Sequence, residues 1–226
     1  NLRHVEFSPA ATKIDIYAFQ YCGNLETLVP QALTNLTTVN SRAFFECMKL
    51  RGDFSFPALG TVGANAFCST ALTSINIPKC TTLNESCFRY CLQLTNAVVG
   101  ATSFGDNCFA SCPSLSNLTV NAEGAVSFGG SAILTTPPGL KIWYNSTTAP
   151  SVISANALKP ANSSSYATFI IKPALDYAAW EALCARTKAA GTLTAADMAR
   201  GDYPGKRVIG LIETGNNRAW VTHGPM

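Results

Sequence analysis

AFQYCGNL, Ala18–Leu25, decides the fold because the chain repeats it four times. It returns as AFFECMKL (Ala43–Leu50), AFCSTAL (Ala66–Leu72), CFRYCLQL (Cys87–Leu94) and CFASCPSL (Cys108–Leu115). Phe19, Phe44, Phe67, Phe88 and Phe109 stand 25, 23, 21 and 21 residues apart, a period that composition alone does not produce. Four residues before each Ala or Cys slot comes an apolar residue: Ile14, Val39, Val62, Leu83 and Phe104. After each motif comes an alternating apolar run, as in Leu72, Ile75 and Ile77 before Pro78, or Leu115, Leu118 and Val120. Leu94, Ala97 and Val99 fit the template, as do Leu25 and Leu28 before Pro30. Leu2, Val5 and Phe7 before Pro9 read as the strand of a repeat whose own start is missing.

Alternation over a few residues marks a strand with one buried face, and the proline after it ends the ladder where a turn begins. Each coil is then a short strand, a turn, a second short segment at the Val39-type position, and a tight helical or 3₁₀ turn carrying the Ala-Phe pair. One such unit cannot bury its own apolar face, whereas stacked units share a continuous core. Two copies depart from the period. AFCSTALTSINIP is one residue short, with Thr70 or Ala71 where Cys is expected, so its turn should be tighter. LRGDFSFP holds one extra residue between Leu50 and Phe54, for which a bulge is expected.

The pattern AF-x-x-C-x-x-L-x-x-I-x-IP resembles the BspA-like (Treponema-type) leucine-rich repeat of bacterial surface proteins, over residues 1–121. The resemblance implies an α/β fold: a leucine-rich repeat solenoid with a parallel sheet and short helical turns, closed by a C-terminal α+β cap. Residues 122–226 are expected to hold a degenerate repeat and that cap. PPGLKIWY, TTAPSVISANALKP and ATFIIKPALDYAAWEAL resemble, more loosely, the terminal module of such proteins. Pro173 suits the first position of a helix, and Leu175, Ala178, Ala179, Ala182 and Leu183 recur at helical spacing, giving a helix over 174–189. Val208 to Val221, around Thr214-Gly215-Asn216-Asn217, reads as a hairpin over 207–222.

The 226 residues are 47% hydrophobic and 13% charged, against about 25% charged in ordinary domains, which excludes a disordered chain. The net charge is +3 with no basic run to follow a phosphate track, so no nucleic acid partner is expected. No stretch approaches about 18 consecutive apolar residues, so no transmembrane span is expected. Asn1 opens without the charged and apolar regions of a signal peptide, and any export signal is expected to have been removed.

Of the nine cysteines, Cys22, Cys47, Cys91 and Cys112 share one repeat slot, and Cys87 and Cys108 take the Ala slot. A free Cys packs as a small buried hydrophobe, so the leading reading is an interior ladder. Two alternatives stay open. Cys87, Cys91, Cys108 and Cys112 form two C-x-x-x-C pairs of the kind a structural zinc uses, although the repeat alone dictates those positions. Disulfides between stacked neighbours are the other, since strands lie about 4.8 Å apart and bridged Cα atoms about 4.4–6.8 Å.

His4 and His223 have no second ligand or nucleophile nearby in sequence, and no phosphate-binding, dinucleotide, G-x-S-x-G or H-E-x-x-H motif occurs. No catalytic residue, metal or cofactor is expected, and the chain is read as not an enzyme. With Leu72, Ile75 and Ile77 inward, the outward strand positions are Thr27, Ser55, Ser74, Asn76, Asn96, Asn117 and Thr119, joined by Val29 and Val98. This small, hydroxyl- and amide-rich row is the expected ligand-binding surface. Arg51-Gly52-Asp53 and Arg200-Gly201-Asp202 are integrin-type triplets that a strand entrance and a helix end also explain. Five Asn-x-Ser/Thr sites, at Asn35, Asn84, Asn117, Asn145 and Asn162, are near chance in so Asn- and Ser-rich a chain. The resemblance implies a cell-surface or extracellular adhesion module for a host or bacterial surface protein or glycan. The alternative is a structural spacer or cap of a larger surface protein.

Overall fold

A computed structural model describes residues 1–135, 137, 139–146, 148–154, 156–159, 167–171, 182, 208–214 and 217–223. The alternating runs after each motif form the main strands: β1 (His4–Glu6), β3 (Thr27–Val29), β5 (Arg51–Ser55), β7 (Ala71–Ile77), β9 (Asn96–Val99), β11 (Asn117–Val120), β13 (Lys141–Tyr144) and β15 (Ala167–Ile171). The Val39-type positions form two-residue strands: β2 (Lys13–Ile14), β4 (Thr38–Val39), β6 (Thr61–Val62), β8 (Thr82–Leu83), β10 (Ser103–Phe104), β12 (Ser127–Phe128) and β14 (Val152–Ile153). The second set pairs in parallel into one seven-stranded sheet. The first set pairs in parallel from β5 to β15, with β1 and β3 as a separate two-stranded piece. The coils make a parallel β-solenoid of about seven turns.

The break between β3 and β5 follows from the second coil. Pro30 offers no amide hydrogen to the ladder, and the contact dwindles to an isolated bridge between Ala32 and Ser55. The expected irregularity lies next door, though not on the strand with the extra residue. Gly52 faces Leu72 and Asp53 faces Ser74, so the unpaired residue is Thr73 on β7.

The Ala-Phe turns are not helical, which corrects the expectation of short helical turns. In the six coils from Tyr17 to Thr135 two residues four apart hold φ between 55° and 61°, such as Tyr17 and Tyr21, Arg42 and Glu46, or Ser86 and Tyr90. Amides then point alternately in two directions. Ala18, Gln20 and Cys22 donate within the coil to Asp15, Tyr17 and Phe19, while Tyr17, Phe19 and Tyr21 donate to Ser41, Ala43 and Phe45 of the next coil. A helix satisfies its backbone only internally; here every second amide builds a third ladder along the solenoid.

Inside, the Leu slot (Leu25, Leu50, Leu72, Leu94, Leu115, Leu140) is wholly buried. The rings of Phe19, Phe44, Phe67, Phe88 and Phe109 stack at 5.2–5.4 Å between centroids, with interplanar angles of 5–17°. The coils continue beyond these five, with Ala132-Ile133 and Ala157-Leu158 in the Ala-Phe positions and Ser131 and Asn156 at positive φ before them.

The helix expected over 174–189 falls, but for Ala182, outside the described residues. β16 (Val208–Thr214) and β17 (Asn217–His223) pair antiparallel, and β17 lies parallel to β15. The described C-terminal strands therefore extend the main sheet, and an α+β cap is not supported. Every residue of β15 is buried, so the sheet's outer face is covered there.

Candidate binding surface

Six of the seven residues expected to face outward stand on the continuous main sheet. Ser74, Asn96 and Asn117 are direct register partners, as are Ser55 and Asn76, with Val98 between Asn76 and Thr119. Thr27 is set apart on the two-stranded piece, where its hydroxyl meets His4 Nδ1 at 2.7 Å. Asn76 is exposed and the other six are half-buried. Part of the row's bonding capacity is already used between coils. Asn76 donates to Ser55 at 3.2 Å, and Trp143 Nε1 donates to Asn117 at 3.3 Å.

Arg51-Gly52-Asp53 is strand β5 itself rather than a free loop. Gly52 has φ 124°, a conformation that L side chains rarely adopt, and a Cβ there would strike the Gln31 amide. The Asp53 carboxylate accepts from the Thr73 and Ser74 hydroxyls, which hold it below the ordinary carboxylate range. The second triplet lies outside the described residues. Three asparagines of the Asn-x-Ser/Thr sites also serve the coils: Asn35 donates to the Pro9 carbonyl, Asn84 to that of Val62 and Asn145 to the Asn121 side chain, while Asn162 lies outside the described residues.

The eight described cysteines are all unpaired thiols. Among the described residues, no group of three or more His, Cys, Asp or Glu is arranged to hold a metal.

A second surface, which the sequence reading missed, lies on the turns. Tyr21, Met48, Leu92 and Tyr90 are 64%, 63%, 53% and 42% exposed, whereas the sheet face shows only Val29 among such exposed apolar side chains of the described strands β3 to β13. Tyr21 meets Phe45 edge-on at 5.6 Å. Arg89 lies 4.6 Å above the Tyr90 ring and donates to its hydroxyl at 2.9 Å, and Arg42 stands 5.7 Å from the Phe45 ring. The signal was the variable residues after each Phe and Cys, which repeat register alone does not constrain.

The short third coil interrupts this surface. Thr70 takes the Cys slot, donating to the Phe67 carbonyl at 2.9 Å and meeting Cys91 Sγ at 3.4 Å. Ala71 then stands alone before Leu72, where the other coils have two residues. The gap is a notch of about 360 Å³, walled by Met48 from the second coil and Tyr90 and Leu92 from the fourth, with Ser69, Ala71 and Gln93 completing it.

The BspA type leucine-rich repeat region matches residues 12–132 in six copies. The chain belongs to the BspA-type leucine-rich repeat family. The chain is similar to the crystal structure of a leucine-rich repeat protein from Bacteroides ovatus, with 14% identity and a TM-score of 0.33, over 70% of this chain and 62% of that one. It thus spans less than two thirds of that protein's length. No curated protein matches it. BspA-type repeats point to a protein-binding or structural module of the kind generally found on bacterial surfaces. No described helix is long and apolar enough to cross a membrane.

Proposed function

We propose that the chain is a non-catalytic adhesion or binding module of a bacterial cell surface, holding a host or bacterial protein or glycan against the outer face of its main sheet. The observation that carries this reading is the in-register row Ser74, Asn96, Asn117 with Asn76 and Thr119 beside it. Successive coils place hydroxyl and amide groups at strand spacing, about 4.8 Å, which suits repeated hydrogen bonding to a polymer lying along the solenoid axis. Asn96 and Thr119 have no side-chain hydrogen bond within the described residues, which leaves their groups for a ligand.

Binding of the purified chain to matrix proteins and to a glycan array tests the reading. Asn76→Lys and Asn117→Lys each put a charge into the row without touching the core. At least tenfold weaker binding is expected, with an unchanged thermal midpoint. Unchanged binding in both variants would sink the sheet-face reading and leave the structural spacer in its place.

A further inference from the structure

The notch at the third coil has a chemistry unlike that of the sheet face. Its volume of about 360 Å³ lies at the lower end of ligand sites, roughly 300–1,000 Å³. That holds one large side chain with its adjoining backbone and is too small for a folded domain. Six of the nine exposed large apolar side chains among the described residues, Ile16, Tyr17, Tyr21, Met48, Tyr90 and Leu92, stand on the turns. Tyr, Met and Arg are enriched in protein interfaces, and Tyr and Arg at their hot spots. A sugar would find a Ser69 hydroxyl and a Gln93 amide but no array of hydrogen-bonding groups.

One charge gives the site a direction. Arg89 stands on the fourth-coil side and pairs with no carboxylate among the described residues, whose ion pairs are Arg3 with Glu26 and Lys13 with Asp15. The Arg89 guanidinium lies 4.6 Å above the ring of Tyr90, which walls the notch, and so stands beside the opening. A carboxylate on a bound segment is drawn towards Arg89.

We propose that this notch seats a leucine, methionine or aromatic side chain that an extended segment of a protein partner presents beside a carboxylate. The site is separate from the sheet-face row and stands whether or not that row binds anything. It exists because the third coil lacks one residue and carries Ser69 where the first and fourth carry Tyr21 and Tyr90. Those three residues share the same positive φ, near 60°, so Ser69→Tyr fills the notch with a residue the slot already accepts elsewhere.

The test is selection of twelve-residue peptides from a displayed library on the wild-type chain, followed by affinity measurement on variants. Enriched peptides are expected to carry a large apolar residue next to Asp or Glu. They should bind Ser69→Tyr and the surface variant Leu92→Asp at least tenfold more weakly, bind Arg89→Gln several-fold more weakly, and bind Asn76→Lys and Asn117→Lys as they bind wild type. Failure to enrich any peptide, enrichment without that apolar-acidic pair, or full binding to both Ser69→Tyr and Leu92→Asp overturns the proposal. Loss of peptide binding in the Asn76 and Asn117 variants alone overturns it too, and assigns the peptides to the sheet face.

Discussion

The thiols of Cys47, Cys91 and Cys112 donate to the carbonyls of Phe19, Phe67 and Phe88, each one coil back, at 3.0, 3.1 and 3.1 Å. Thr70, in the same slot, turns its hydroxyl to the carbonyl of its own coil. The slot therefore selects a small side chain with a donor, and sulfur is one solution among others. This is why the register of the cysteines was legible in sequence while their bonding was not: spacing gives the slot, but only stacked coils bring the acceptor. Burial pushes the Cys47 thiol up to about 12 and the Cys80 thiol up to about 11, whereas an unfolded thiol titrates near about 8.5. As pH rises the unfolded chain releases these protons first, so the stability they contribute is complete below about pH 8.5 and declines through pH 11 to 12. Under reducing conditions the urea midpoint should fall steadily between pH 8.5 and 11, and fall less in Cys80→Ala. A midpoint that stays flat over that range would contradict the burial of these thiols.

Among the elements, the turn was the least legible. Ala-Phe followed by two variable residues and Cys reads as a helical turn, because left-handed residues are normally announced by Gly or Asn and these slots carry Asn only at Asn65, Asn107 and Asn156, with Tyr, Arg, Glu, Ser or Thr elsewhere. Cross-coil hydrogen bonds offset the strain, and those bonds exist only once a second coil is in place. The strands were legible because alternation and proline are local signals. Where coils press closest, side chains are excluded at specific positions. A Cβ on Gly100 would overlap the Pro78 carbonyl of the preceding coil, and one on Gly63 would overlap the backbone of Ser41. Neither glycine has a positive φ, so contact and not conformation fixes them. Gly100→Ala should force the two coils apart and cost about 1–3 kcal/mol, whereas Gly124→Ala meets nothing within 4 Å and loses only through its φ of 106°. Urea unfolding of the two variants separates steric exclusion from backbone strain. Equal small losses would mean the coils yield freely at Gly100.

Across the molecule, the coils hide in sequence wherever their landmark changes. The two after Phe109 place Ile133 and Leu158 in the Phe position and lack its Cys, so the first reads as a degenerate repeat and the second as part of a terminal module, although their short strands pair in parallel register. The two proposed binding surfaces divide the same way: the sheet row followed from alternation, whereas the notch depends on the walls of two flanking coils that one sequence copy does not describe. A solenoid in which each coil touches its neighbours should carry energetic coupling over short distances only. Phe88 lies between Phe67 and Phe109 at 5.4 and 5.2 Å, wholly buried, and Phe88→Ala should cost about 3–5 kcal/mol. Phe67→Ala combined with Phe88→Ala removes a shared stacked contact, so the pair should depart from additivity by about 0.5–1.5 kcal/mol. Phe44→Ala with Phe109→Ala, whose rings share no direct contact, should add within about 0.5 kcal/mol. Double-mutant cycles by urea denaturation read both numbers. Equal coupling in the two cycles would mean the Phe ladder responds as one rigid body rather than coil by coil, and a perturbation at the third-coil notch would then be felt along the whole solenoid.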